Sequence, residues 1–192
     1  MTSSSVRIPA PAGAAGAALL VLSALGAVAG LWTDDPSFTS NATDLICFLL
    51  LIIGLIGFAR SGAATGLLAR IGVALALVGL ALYLLVAVVS FGGAAIGESV
   101  HPISVPLTGV GMLLTGIATL RTGRWTGWRR YAPLICGIVP FAIELPGFIA
   151  FGDSPNLSYF IACTWAAWLL LFLAQWTATA SLRVAEAGLT GN

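Results

Sequence analysis

Long apolar runs, separated by short polar intervals, fill most of the chain. Runs long enough to cross a membrane fall at Ala12–Leu31, Ala42–Ala59, Leu67–Phe91, Ile103–Leu120, Tyr131–Phe151 and Leu157–Leu182. Each is near or above the ~18 residues that a membrane-spanning helix requires. Barrel strands would alternate apolar and polar positions, and lipid offers unpaired backbone groups no partner, so the runs predict helices. The expected fold is an all-α, polytopic transmembrane helix bundle of six spans. The intervals agree with it: Asn41, with Asp44 three residues on, reads as an N-cap, and Gly152–Asn156 as a tight turn.

Composition sharpens the class. Of 192 residues, 59% are hydrophobic and 8% charged, with a mean hydropathy of +1.03, where a soluble domain would carry about a quarter charged residues. Six spans of roughly 20 residues leave no room for a soluble domain. The chain is expected to be one transmembrane domain, with residues 1–11 and 184–192 as cytoplasmic tails.

The net charge of +1 conceals a segregation. Arg7, Arg60, Arg70, Arg121, Arg124, Arg129, Arg130 and Arg183 all fall on one side of the six runs. Asp34, Asp35, Asp44, Glu98 and Asp153 fall on the other, with no arginine among them. The positive-inside rule then puts both termini in the cytoplasm of a bacterial inner membrane. An alternative stays open at the start of the chain. Ala27-Val28-Ala29 resembles a signal-peptidase site, and cleavage there would leave five spans in the same orientation.

Small residues recur within spans, as at Gly26 and Gly30, Gly72 and Gly79, and Gly109 and Gly116. Such spacing serves close helix packing in lipid, either within the chain or toward a second copy or a membrane partner. The two internal basic connections share a pattern, R-[ST]-G-x-x-T-G, at Arg60–Gly66 and Arg121–Gly127. The 61-residue offset would relate spans two and three to spans four and five as a parallel repeat of hairpins, although common turn chemistry gives the same match. Arg121, Arg124, Trp125, Trp128, Arg129 and Arg130 form a basic, aromatic stretch expected at the lipid headgroups, with anionic lipid as partner.

Candidate chemistry is sparse. His101 is the only histidine, which removes bis-histidine haem, His-rich di-iron centres and the H-E-x-x-H zinc site. It precedes Pro102 and reads as a solvated loop residue. The absence of lysine removes a P-loop and a retinal Schiff base. Cys47, Cys136 and Cys163 form no C-x-x-C and read as small packing residues, with a Cys47–Cys163 disulfide as the less favoured reading. No metal, cofactor, nucleic-acid partner or catalytic set is expected.

Glu144 stands apart. It lies within span five, between Pro140 and Pro146. A carboxylate near mid-helix costs about 2.5–3.5 kcal/mol on insertion scales, so it should face the bundle and find a partner. The prolines disturb the helical ladder around it. At similar depth stand Ser23, Tyr83, Thr108 and Thr164, and the expectation is an outward-opening polar cluster of these four with Glu144. The competing expectation is a glutamate that hydrogen-bonds a kinked backbone for structural reasons only. Trp165, Trp168, Phe172 and Trp176 recur at near-helical spacing on span six, as packing or lipid-facing aromatics or as the wall of an apolar pocket.

From Gly116 onward the chain carries Gly116–Arg121, a basic turn with Trp125, an apolar span with prolines and a Trp-rich last helix. In these features it resembles a broad set of uncharacterised bacterial six-span membrane proteins. That resemblance covers the last third of the chain and implies the span count, with no functional residues. The leading functional expectation is a non-enzymatic multi-pass membrane protein. The alternatives are a small proton-coupled transporter or channel using Glu144, and an enzyme acting on a lipid or isoprenoid with Glu144 as general acid.

Overall fold

The computed structural model describes residues 38–91, 97–151 and 157–190, with side chains at 44–90, 100–151 and 159–178. Span one, Ser23, Gly26, Gly30, the candidate cleavage site, the Gly152–Asn156 turn and the Arg183 side chain lie outside them. The described residues contain no strand. Helix α1 covers Phe38–Arg60, α2 Leu67–Phe91 and α3 Gly97–Thr122. A 3₁₀ turn at Gly127–Tyr131 leads into α4, Ala132–Val139; a π-helical turn at Pro140–Glu144 joins it to α5, Leu145–Phe151; and α6 covers Leu157–Thr190. Four stretches, Leu67–Ser90, Val100–Thr122, Gly127–Phe151 and Tyr159–Ala178, are long and apolar enough to cross a membrane.

Three boundaries differ from expectation. Helix α1 begins at Phe38, so Asn41 sits inside it and is not its N-cap. Helix α3 begins six residues before Ile103 and carries His101, Pro102 and Pro106 within it, so His101 is a helical residue and not a loop residue. Helix α6 runs on to Thr190, past the expected end of span six at Leu182. The helix-forming stretch Val184–Leu189 supplies no proline and only one glycine to stop it.

Apolar and polar residues are distributed the opposite way from a soluble bundle. Leu67, Ile71, Val78, Leu85 and Val88 stand exposed along α2, and Ile149 on α5 is 80% exposed. Ser104, Thr108, Thr115 and Thr119, spaced four and seven apart along α3, are buried. The three threonine hydroxyls each donate to the carbonyl four residues back, at 2.8–2.9 Å. That satisfies the hydroxyls without an interhelical partner and keeps the α3 surface narrow.

Helix α3 is the hub, packed between α2 and α4. Its seam with α2 is made of small residues. A Cβ added at Gly72 would lie 2.5 Å from Thr115 Oγ1 and 2.7 Å from the Gly111 carbonyl, and one at Gly79 would strike Thr108. On the other side Gly116 meets Leu134 and Gly109 meets the Phe141 ring. These glycines are used for contacts within the chain, where backbone approach maximises dispersion between helices.

The two shared turns place their paired glycines in the same backbone region. Gly62 and Gly66 have φ of 71° and 90°, and Gly123 and Gly127 both have 62°. Only glycine enters this left-handed region without a penalty. The turns also touch: Thr122 Oγ1 donates to the Ala63 carbonyl at 2.8 Å, and Arg124 Nη1 to the Gly62 carbonyl at 3.1 Å. Both basic connections therefore occupy one end of the bundle.

Candidate functional site

The π turn decides where Glu144 points. Pro140 opens it, and the Leu145 N–H bonds back to the Pro140 carbonyl, five residues away instead of four. Pro146 then brings no N–H of its own to the ladder. A single widened turn of this kind inserts one residue into a helix and rotates the residues beyond it. Glu144 emerges buried, 4% exposed, while Leu145 beside it is exposed. Thr164 Oγ1 on α6 donates to Glu144 Oε2 at 2.7 Å. This partnered carboxyl group lies about 10 Å from the Phe151 end of its helix, at ~1.5 Å per residue.

Glu144 and Thr164 line a cavity of about 10 Å³ together with Tyr83, Thr108, Trp165 and Trp168. That is the size of a single water site. The levels agree along the helices: Tyr83 lies thirteen residues from Arg70, Thr108 thirteen from Arg121, and Glu144 fourteen from Arg130. The structure thus gathers four of the five expected cluster residues around one void, Ser23 lying outside the described residues. The cavity is small, and Tyr83, Trp165 and Trp168 form much of its wall.

Aromatic rings close one side. Phe48 stacks on Tyr83 with centroids 5.2 Å apart, and Trp165 meets Phe48 at 5.6 Å and Tyr83 at 6.1 Å, both edge-on. His101, half-buried, packs on Tyr83 at 5.4 Å. It stands twenty residues from Arg121, so it covers Tyr83 from the arginine-free end. His101 is the residue here that the sequence does not announce, since Pro102 beside it reads as a helix boundary; its helical spacing from Thr108 is the available signal. Trp168 and Phe172 are buried in the core, whereas Trp176 is 53% exposed, so the aromatic series on α6 does not share one environment.

The second basic connection divides similarly. Arg121, Arg124, Trp128 and Arg130 are exposed and Arg129 half-buried. Trp125 is 7% exposed and packs edge-on against Phe58, with centroids 5.4 Å apart. Its ring is thus turned inward against α1, unlike that of Trp128. All three cysteines are free; Cys47 and Cys136 are buried, Cys163 is exposed, and the Cys136 thiol donates to the Ala167 carbonyl.

The described residues hold no group of three histidine, cysteine or carboxylate side chains able to bind a metal. The fold and site define an all-helical bundle with membrane-length apolar helices around a small polar centre. No family model, curated protein or solved structure matches the chain.

Proposed function

We propose that the chain is a non-enzymatic, six-span protein of a bacterial inner membrane, with both termini cytoplasmic, that binds and releases a proton at Glu144 as a small transporter or channel. The observation that carries this reading is a single carboxyl group held on a π turn and bonded to Thr164 beside a one-water cavity. An intramembrane acid is costly to keep, and this one sits where two prolines make the helix deformable. The cavity is too small for a lipid or isoprenoid, which weighs against the enzymatic alternative.

The orientation draws support from the two basic turns, which share one end of the bundle. Exposed Arg121, Arg124, Arg130 and Trp128 would meet anionic headgroups there as a diffuse belt.

Proteoliposomes with an imposed pH gradient and an internal pH-sensitive dye test the proposal. Glu144→Gln keeps an acceptor for Thr164 and should lower proton flux at least about tenfold while the folded yield is unchanged. Glu144→Asp should retain part of the flux. Wild-type flux in Glu144→Gln would leave the glutamate a structural residue.

A further inference from the structure

At the basic end, the α1–α2 connection borders an open face. A groove of about 440 Å³ runs from Arg60 and the turn onto the first three turns of α2, within the size range of small-molecule sites. Six of its eleven lining residues are glycine or alanine, which is why it stays open. On α2 its wall is Ala69, Arg70, Val73, Ala74 and Leu77. From Arg70 these fall at i+3, i+4 and i+7, a continuous helical stripe. The stripe begins at a charge and ends about 10 Å away in apolar side chains.

Among the described residues no hydrogen bond or ion pair engages the guanidinium group of Arg60 or Arg70, the Arg70 backbone N–H alone bonding to the Gly66 carbonyl. Arg124, in contrast, is tied to the Gly62 carbonyl, and Trp125 is turned inward against Phe58. Two unpaired guanidinium groups above an apolar trough match a molecule with an anionic head and a hydrocarbon tail. Guanidinium forks suit phosphate oxygens, and the small residues admit an acyl chain against the helix.

We propose that this groove binds one anionic phospholipid, its phosphate between Arg60 and Arg70 and its acyl chain along Val73, Ala74 and Leu77. The site is independent of Glu144 and stands or falls separately from proton binding there.

The test is native mass spectrometry of the full chain in mild detergent, offered phosphatidylglycerol and phosphatidylcholine in equal amounts. One phosphatidylglycerol should be retained per chain in preference to phosphatidylcholine. R60Q/R70Q should weaken that retention about thirtyfold, at roughly 1 kcal/mol per arginine. Ala74→Trp, which fills the trough and keeps both charges, should also weaken it. R121Q/R130Q removes the same charge from the other connection and should weaken it less. Glycerol phosphate, which has the head but no chains, should not compete. Equal retention of the two lipids, wild-type retention in Ala74→Trp, an equal loss in the two double variants, or displacement by glycerol phosphate would each overturn the proposal. Helicity by circular dichroism separates lost binding from lost fold.

Discussion

Helix α2 and the α4–α5 stretch come after turns of the same sequence pattern, 61 residues apart, and have different interiors. Gly79, Tyr83 and Leu85 on α2 correspond to Pro140, Glu144 and Pro146. Helix α2 runs unbroken for 25 residues, and Gly79 lets α3 come against its backbone. Its counterpart is broken by a five-residue π turn that carries the acid. Both Tyr83 and Glu144 face the same cavity. The comparison shows that depth comes from position along the helix, and that the π turn set between the prolines aims Glu144. An unbroken helix offers a ring to that centre, and a broken one offers a carboxyl group.

The largest expected effect lies in the seam that brings the two together. Gly111 faces the Gly72 carbonyl, 2.6 Å from where a Cβ would stand. Gly111→Leu should cost on the order of 3 kcal/mol or more by overpacking and abolish the folded species on size-exclusion chromatography. A monodisperse variant with wild-type thermal stability would break the packing half of the comparison.

Next comes P140A/P146A, which makes the second helix resemble the first. Removing two prolines should favour a continuous helix, each proline costing about 3 kcal/mol in a regular interior. Glu144 would then rotate away from Thr164. Proton flux in vesicles should fall strongly while thermal stability holds or rises. Unchanged flux in a straightened helix would show that the π turn is incidental.

The smallest effects sharpen the comparison at the turns. Gly66 and Gly127 have open space around them, so alanine at either should cost about the same, roughly 1–2 kcal/mol of backbone strain. At Gly62 a Cβ would lie 2.7 Å from Arg124 Nη1, whereas Gly123 has nothing near it. Gly62→Ala should therefore exceed Gly123→Ala in thermal denaturation. Equal losses would mean that the Arg124 contact contributes nothing.

Much of this is legible from the residues. The run Leu67–Phe91 coincides with α2, because an uninterrupted apolar stretch leaves the helix no other place to end. Depth alone brings Glu144, Tyr83, Thr108 and Thr164 together, since a rise per residue converts position into height. The features that escape the sequence need tertiary contacts. Pro102 looks like a boundary locally, yet α3 carries it in its interior, and His101 goes into the helix with it. Trp125 has the neighbours of an interfacial ring, and only the proximity of Phe58 turns it inward. The π turn itself is not legible: prolines announce disturbance in a helix but not whether it tightens, kinks or widens.

Whether Glu144 exchanges a proton is read most directly by isotope-edited infrared spectroscopy of the chain in lipid across a pH series. The expected result is one carboxyl band that interconverts between acid and carboxylate forms and is missing from Glu144→Gln. A spectrum in which no band assignable to Glu144 changes over the series would contradict proton binding at the π turn.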